Sequence, residues 1–205
     1  MDDFKEEKRY LWPRRGDKLF SNEGENPASK ACIGPYSGWE YYTMGYKKAA
    51  ALLVQHVVDK RQNQDTLIYP AVFLYRHYIE LLLKQIIKNG SMIISESCKI
   101  PHLHNPWDLW TVSKRIIMKA WPDGDKKELN IVEECIREIS EIDPGSTTFR
   151  YPVKKTGGFP IPAERTRIDL QNLGEVMRRL GRFLEGCEAA ISEIADSMFQ
   201  QQSND

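Results

Sequence analysis

Leu67–Gly90, LIYPAVFLYRHYIELLLKQIIKNG, is the most apolar stretch of the chain, yet it carries a charged stripe. Wound at about 100° per residue, it places Leu74, Tyr75, Tyr78, Ile79, Leu81, Leu82, Leu83 and Ile86 on an arc roughly 200° wide. One-sided amphipathicity needs much less, so this segment reads as a central helix. On the same wheel Arg76, Glu80 and Lys84 fall close together with His77 beside them, and Phe73 and Ile87 sit within the stripe. Two readings stand side by side. One is an i,i+4 ladder lacing a solvated edge; the other is a half-buried polar constellation suited to anion or proton chemistry.

Working outward, Trp39 to about Arg61 repeats Tyr42, Tyr46, Ala49, Ala50, Leu53 and Val57 at helical spacing. Asp65 or Thr66 is the expected cap of the central helix, with Pro70 in its first turn and Asn89-Gly90 at its end. A loop from Ser91 to Leu103 has room for an extended piece at Met92–Ile94. Asn105-Pro106-Trp107-Asp108 then reads as N-cap, N1 proline and capping acid of a third helix, buried through Trp107, Trp110, Ile116, Ile117 and Trp121. After Pro122-Asp123-Gly124, a fourth helix is marked by Leu129, Val132, Ile136 and Ile139.

Asp143–Arg167, DPGSTTFRYPVKKTGGFPIPAERTR, lacks helical pattern, and a loop this long in a compact domain is more often functional than neutral. Phe149–Val153 and Gly158–Ile161 are candidates to pair as a small hairpin, with Phe149 and Tyr151 on one side and Arg150 on the other. Finally Leu173, Met177, Leu180, Leu184, Cys187, Ile191, Ile194 and Met198 form a heptad seam, readable as bundle packing or as a dimer contact. Arg178, Arg179 and Arg182 make a basic band beside it.

The fold class expected is therefore all-α, an antiparallel bundle of about five helices. It divides into an irregular arm at 1–38, the bundle at 39–199 and a polar tail at 200–205. Trp12, Phe20 and Tyr36 are apolar enough for the arm to lie on the body, with Arg14 and Arg15 available to a partner.

Composition narrows the function classes. The 205 residues are 41% hydrophobic, enough for one sizeable core. Twenty-nine basic and twenty-nine acidic residues cancel, so any nucleic-acid contact must be a local patch. Cys32, Cys98, Cys135 and Cys187 form no CxxC pair and read as reduced thiols. A charged N-terminus and the absence of a long apolar run give a cytoplasmic expectation, with no membrane. Cys98, His102 and His104 have C-x3-H-x-H spacing but lack an evident fourth donor, so no metal is expected. Phosphate-cradling and dinucleotide motifs are missing, and no cofactor is expected.

RHYIELLLK at Arg76–Lys84, the His104-Asn105 entry to the next helix with Leu109-Trp110, and Phe149-Arg150-Tyr151-Pro152 together resemble the HEPN superfamily of helical bundles. The likeness is to a bacterial branch with an RHxxExxLK helix and an FRYP loop, over about Trp39–Met198. It implies one of two roles. The first is metal-independent RNA cleavage in toxin, CRISPR or antiphage systems; the second is an inactive module that binds nucleotide, RNA or a partner protein. It also implies a homodimer, for which the 173–198 seam is available. The chain departs from the nuclease pattern, because Leu81, Leu82 and Leu83 occupy the places of the second histidine.

Cleavage without metal needs a base, an acid and a cation for the growing negative charge, and Arg76, His77 and His104 are the catalytic candidates. The binding candidates are Glu80, Lys84, Asp143, Arg150 and Tyr151. The expected function is a HEPN-like bacterial protein of a conflict system that binds RNA, nucleotide or a partner through this polar site. The alternative is a metal-independent endoribonuclease.

Overall fold

The computed structural model describes residues 12–13, 15–21, 24, 26–34, 38–94 and 103–202. The chain divides into two units, Met1–Tyr36 and Ser37–Asp205. In the first, Asn26 accepts the Ala28 amide at 3.0 Å and opens the 3-10 turn Pro27–Ser29. Trp12, Phe20 and Arg15 are exposed there, while Arg14 and Tyr36 lie outside the described residues.

The second unit is an all-α bundle. Its described residues form five α-helices and no strand: α1 (Trp39–Lys60), α2 (Gln64–Gly90), α3 (Pro106–Ala120), α4 (Lys126–Ile142) and α5 (Leu170–Gln202). Helix α2 packs against α1, α3 and α5, while α4 packs chiefly on α3. The wide apolar arc is the cause. Tyr75, Tyr78, Ile79, Leu82, Leu83 and Ile86 are all buried, so α2 must be covered on several sides at once.

Local signals explain most of the ends. Asn105 accepts the Trp107 amide at 2.9 Å, with Pro106 at the first helical position of α3, as its sequence dictates. Asp125 caps α4 in the same way. At α2 the expectation fails: the helix begins at Gln64 behind Asn63, which is left-handed at φ 64° and makes no side-chain cap. Thr66 instead turns its hydroxyl to the Asn63 carbonyl at 3.0 Å. The earlier start puts Pro70 inside the helix, where its ring removes one backbone bond that the surrounding packing must offset.

Gly90 does end α2, but a 3-10 turn, Ser91–Ile94, follows it in place of the extended piece expected there. What Gly90 supplies is space, because a Cβ would collide with the Ile116 side chain. Gly181 on α5 does the same for the Tyr78 hydroxyl, letting α5 close onto α2.

Most of the heptad seam packs within the chain, while Ile194 and Met198 at its far end stay partly exposed. Met177, Leu180, Leu184 and Ile191 are buried in the common core, with Leu173 and Cys187 packed against it. Of the two readings of this seam, the packing within the bundle is the one described for these residues. Helix α5 also runs through Gln202, into the segment read as a polar tail.

Candidate functional site

The i,i+4 spacing along α2 sets Arg76, Glu80 and Lys84 on one line, and the tertiary fold buries all three. Arg76 is 1% exposed and Glu80 3%. Glu80 Oε2 accepts Arg76 Nη1 at 2.8 Å, and Oε1 accepts Lys84 Nζ at 2.9 Å. His104 reaches the same Oε1 through Nδ1 at 2.9 Å, although its side chain is 69% exposed. Burial pushes the Glu80 carboxyl up, but hydrogen bonds from His104, Lys84 and Arg76 outweigh it and hold the group below its ordinary value.

The remaining donors of Arg76 go to distant backbone. Nε donates to the Asp143 carbonyl at 3.0 Å; Nη2 donates to the His104 carbonyl at 2.6 Å and the Pro144 carbonyl at 3.4 Å. One guanidinium thus fastens the entry of α3 and the exit of α4 to the central helix. Asp143 completes the fastening from the other side. Its Oδ1 accepts the amides of Thr147 at 2.7 Å and Thr148 at 3.0 Å, while Thr148 Oγ1 returns to the Ile142 carbonyl at 3.0 Å. The start of the long loop is a locked turn.

This turn changes the geometry expected of the FRYP segment. Backbone bonds from the amides of Arg150 and Tyr151 to the Thr147 carbonyl coil it, so it is not an extended strand. Phe149 is buried and Tyr151 is 56% exposed, hence the two rings do not share a side. A turn at Lys154–Gly158, with Gly157 and Gly158 at positive φ, stands where the hairpin was expected, and no ladder follows it. Arg150 does not bond Glu80 or Asp143. Its Nε donates to the Ser146 carbonyl, and its guanidinium lies 5.5 Å from the Phe73 ring centre and 5.6 Å from that of Tyr151.

The expected catalytic trio is therefore split: Arg76 is sealed, whereas His77 and His104 lie nearer solvent. His77 is half-buried, stacked on Phe73 at 6.1 Å and met edge-on by Tyr46 at 4.4 Å. Desolvation lowers its pKa, opposed by Glu80 and assisted by Arg76, Lys84 and His104, so the ring is neutral at pH 7. Lys84, expected to bind, is spent on Glu80.

Sequence reasoning placed Phe73 in the stripe but missed Tyr46 as a partner of His77. That pairing crosses from α1 to α2, and the only local signal was the Phe73–His77 i,i+4 spacing. It also missed Glu185 of α5, which accepts Lys47 Nζ at 2.7 Å and the Tyr78 hydroxyl at 3.0 Å. Of the C-x3-H-x-H set, Cys98 and His102 lie outside the described residues. Among the described residues no group of three or more metal-ligating side chains assembles.

No helix among the described residues is long and apolar enough to cross a membrane. No family model matches the chain, and neither a curated protein nor a solved structure does.

Proposed function

We propose that the chain is a HEPN-like module that binds single-stranded RNA on the surface formed by Tyr46, Phe73, His77, Arg150 and Tyr151. The observation that carries this reading is the exposed Arg150 guanidinium lying over both Phe73 and the exposed ring of Tyr151. Single strands are held by exposed aromatic faces on which bases stack, beside cations that follow the backbone, and neither needs a particular sequence. A planar guanidinium suits a phosphate oxygen pair and stacks on a base equally well.

The endoribonuclease alternative is less well supported. Arg76, the cation it needs on the phosphorane, already donates to Glu80, Asp143, His104 and Pro144. Turning it toward phosphate would leave Glu80 short of a donor in a buried site. In this reading the Arg76–Glu80–Lys84–Asp143 cluster is a clasp that holds the loop bearing Arg150, and the conflict-system setting is that of the HEPN families it resembles.

The test is fluorescence anisotropy with a labelled 12-nucleotide oligouridylate in EDTA. The chain should bind without cleaving it, and the affinity should fall as salt rises. Arg150→Ala and Tyr151→Ala should each weaken binding about tenfold, the effect of losing one stacked or charged contact of about 1.4 kcal/mol. Unchanged affinity in both variants overturns the assignment of this surface. Cleavage lost on His77→Ala or His104→Ala would establish the ribonuclease instead.

A further inference from the structure

A groove of about 590 Å³ lies where the end of α3, the turn 121–125 and the start of α4 meet the middle of α5. Its walls carry Met118, Trp121, Leu129 and Phe183, and Met118 and Trp121 are left 38% and 37% exposed. Large apolar groups kept in water on a concave surface are what a ligand covers.

Gly186 supplies a second, independent observation. A glycine in the interior of a helix is destabilising relative to alanine, so its place there answers a close approach. On α5, Gly181 makes room for Tyr78, and a Cβ at Gly174 would stand 3.0 Å from Val54 Cγ1. At Gly186, which lines the groove, an added Cβ would meet nothing within 4 Å among the described residues. The packing of the bundle gives no reason for this glycine. What it creates is a bare strip of α5 on which a flat ring can lie against the helix backbone.

Charge decides the rest. The ionisable groups of the groove are Asp125, Lys126, Arg182 and Cys187. Burial pushes the Cys187 thiol up to about 11, so it is uncharged at pH 7. Asp125 turns Oδ1 to the Lys127 amide as the cap of α4. Within the basic band of α5, Arg179 reaches Glu175 at 3.7 Å, but Arg182 has no ion-pair partner among the described residues, and neither has Lys126. Two cations against one acid leave a single positive charge. A monoanion neutralises it, a cationic ligand adds to it and a dianion exceeds it.

We propose that this groove binds a planar aromatic monocarboxylate, its ring on the Gly186 strip against Trp121 and Phe183 and its carboxylate toward Arg182 and Lys126. A guanidinium presents two parallel donors that match a carboxylate. The volume falls within the range of small-molecule sites and admits two fused rings with a short acidic arm. The groove shares no residue with the RNA surface and does not depend on it.

The experiment titrates the full chain by calorimetry with indoleacetate, skatole and tryptamine, one ring system with an anionic, a neutral and a cationic substituent. Indoleacetate should bind saturably and at least about fivefold more tightly than skatole, with tryptamine the weakest. Arg182→Gln should bring indoleacetate down to the affinity of skatole and leave skatole unchanged. Gly186→Ala should raise the thermal midpoint by about 2 °C, through helix propensity, and yet weaken indoleacetate at least about tenfold. Both positions are exposed, so neither change threatens the fold. Equal affinity for the three compounds, no binding of indoleacetate, binding untouched by either substitution, or a lower midpoint in Gly186→Ala would each overturn the proposal. Self-association of the chain that Gly186→Ala abolishes, with no indoleacetate bound, would assign the groove to a second copy instead.

Discussion

Glu80 and Arg76, one helical turn apart on α2, are joined at 2.8 Å with both side chains almost wholly out of water. On a solvated helix face the same pair contributes a few tenths of a kcal/mol. Buried, it becomes obligatory, because neither charge can be left alone. Glu80→Gln should lower stability by about 3–5 kcal/mol, the typical cost of breaking a buried pair. Urea unfolding followed by circular dichroism reads this directly. A loss under about 1 kcal/mol would mean that the clasp does not hold the fold.

The approach of α5 to α2 at Gly181 gives a second expectation. Gly181→Ala drives a methyl group into the Tyr78 hydroxyl and should destabilise by about 1–3 kcal/mol. Tyr78→Phe removes the atom struck, so the alanine should cost less in that background. Thermal unfolding of the four proteins gives the coupling, and strict additivity would show that the helices separate there instead.

The pH dependence follows from His77. Its native pKa lies below the ordinary 6.5, so beneath that pH the unfolded chain binds a proton that the native chain refuses. Stability should therefore fall as pH drops through about 6.5 and level off below the native value of His77. Glu80, also depressed, adds a further fall of the same sign, beginning near its unfolded value of 4.5. Urea midpoints at pH 7.5 and 5.5 measure the first step, and His77→Phe should flatten it.

Burial raises the Cys187 thiol to about 11, and it raises Cys135 as well, whereas Cys32 is exposed. At pH 8 an alkylating reagent should modify Cys32 readily and Cys187 only as the bundle opens. Peptide mapping by mass spectrometry distinguishes them. Rapid labelling of Cys187 in the native protein would contradict the packing of α5.

Apolar period alone determined that α1 to α5 are helices and that α2 is central, since a face roughly 200° wide has to be covered from several directions. The caps at Asn105 and the Arg76–Glu80–Lys84 ladder were legible for a related reason: their partners lie two to four residues away, within reach of the local backbone. Sequence period names a face but not what it meets. Whether the 173–198 seam turned inward, and whether Arg76 was free or sealed, depended on groups brought from far along the chain. The His104 and Asp143 carbonyls that occupy Arg76 stand 28 and 67 residues away. The same holds for the coiled FRYP turn, where the Asp143 side chain and the Thr147 carbonyl took up loop amides that extended pairing would have used. Hydrogen-bonding groups leaving water take the partner that packing supplies, and only the folded chain sets which partner is within 3 Å.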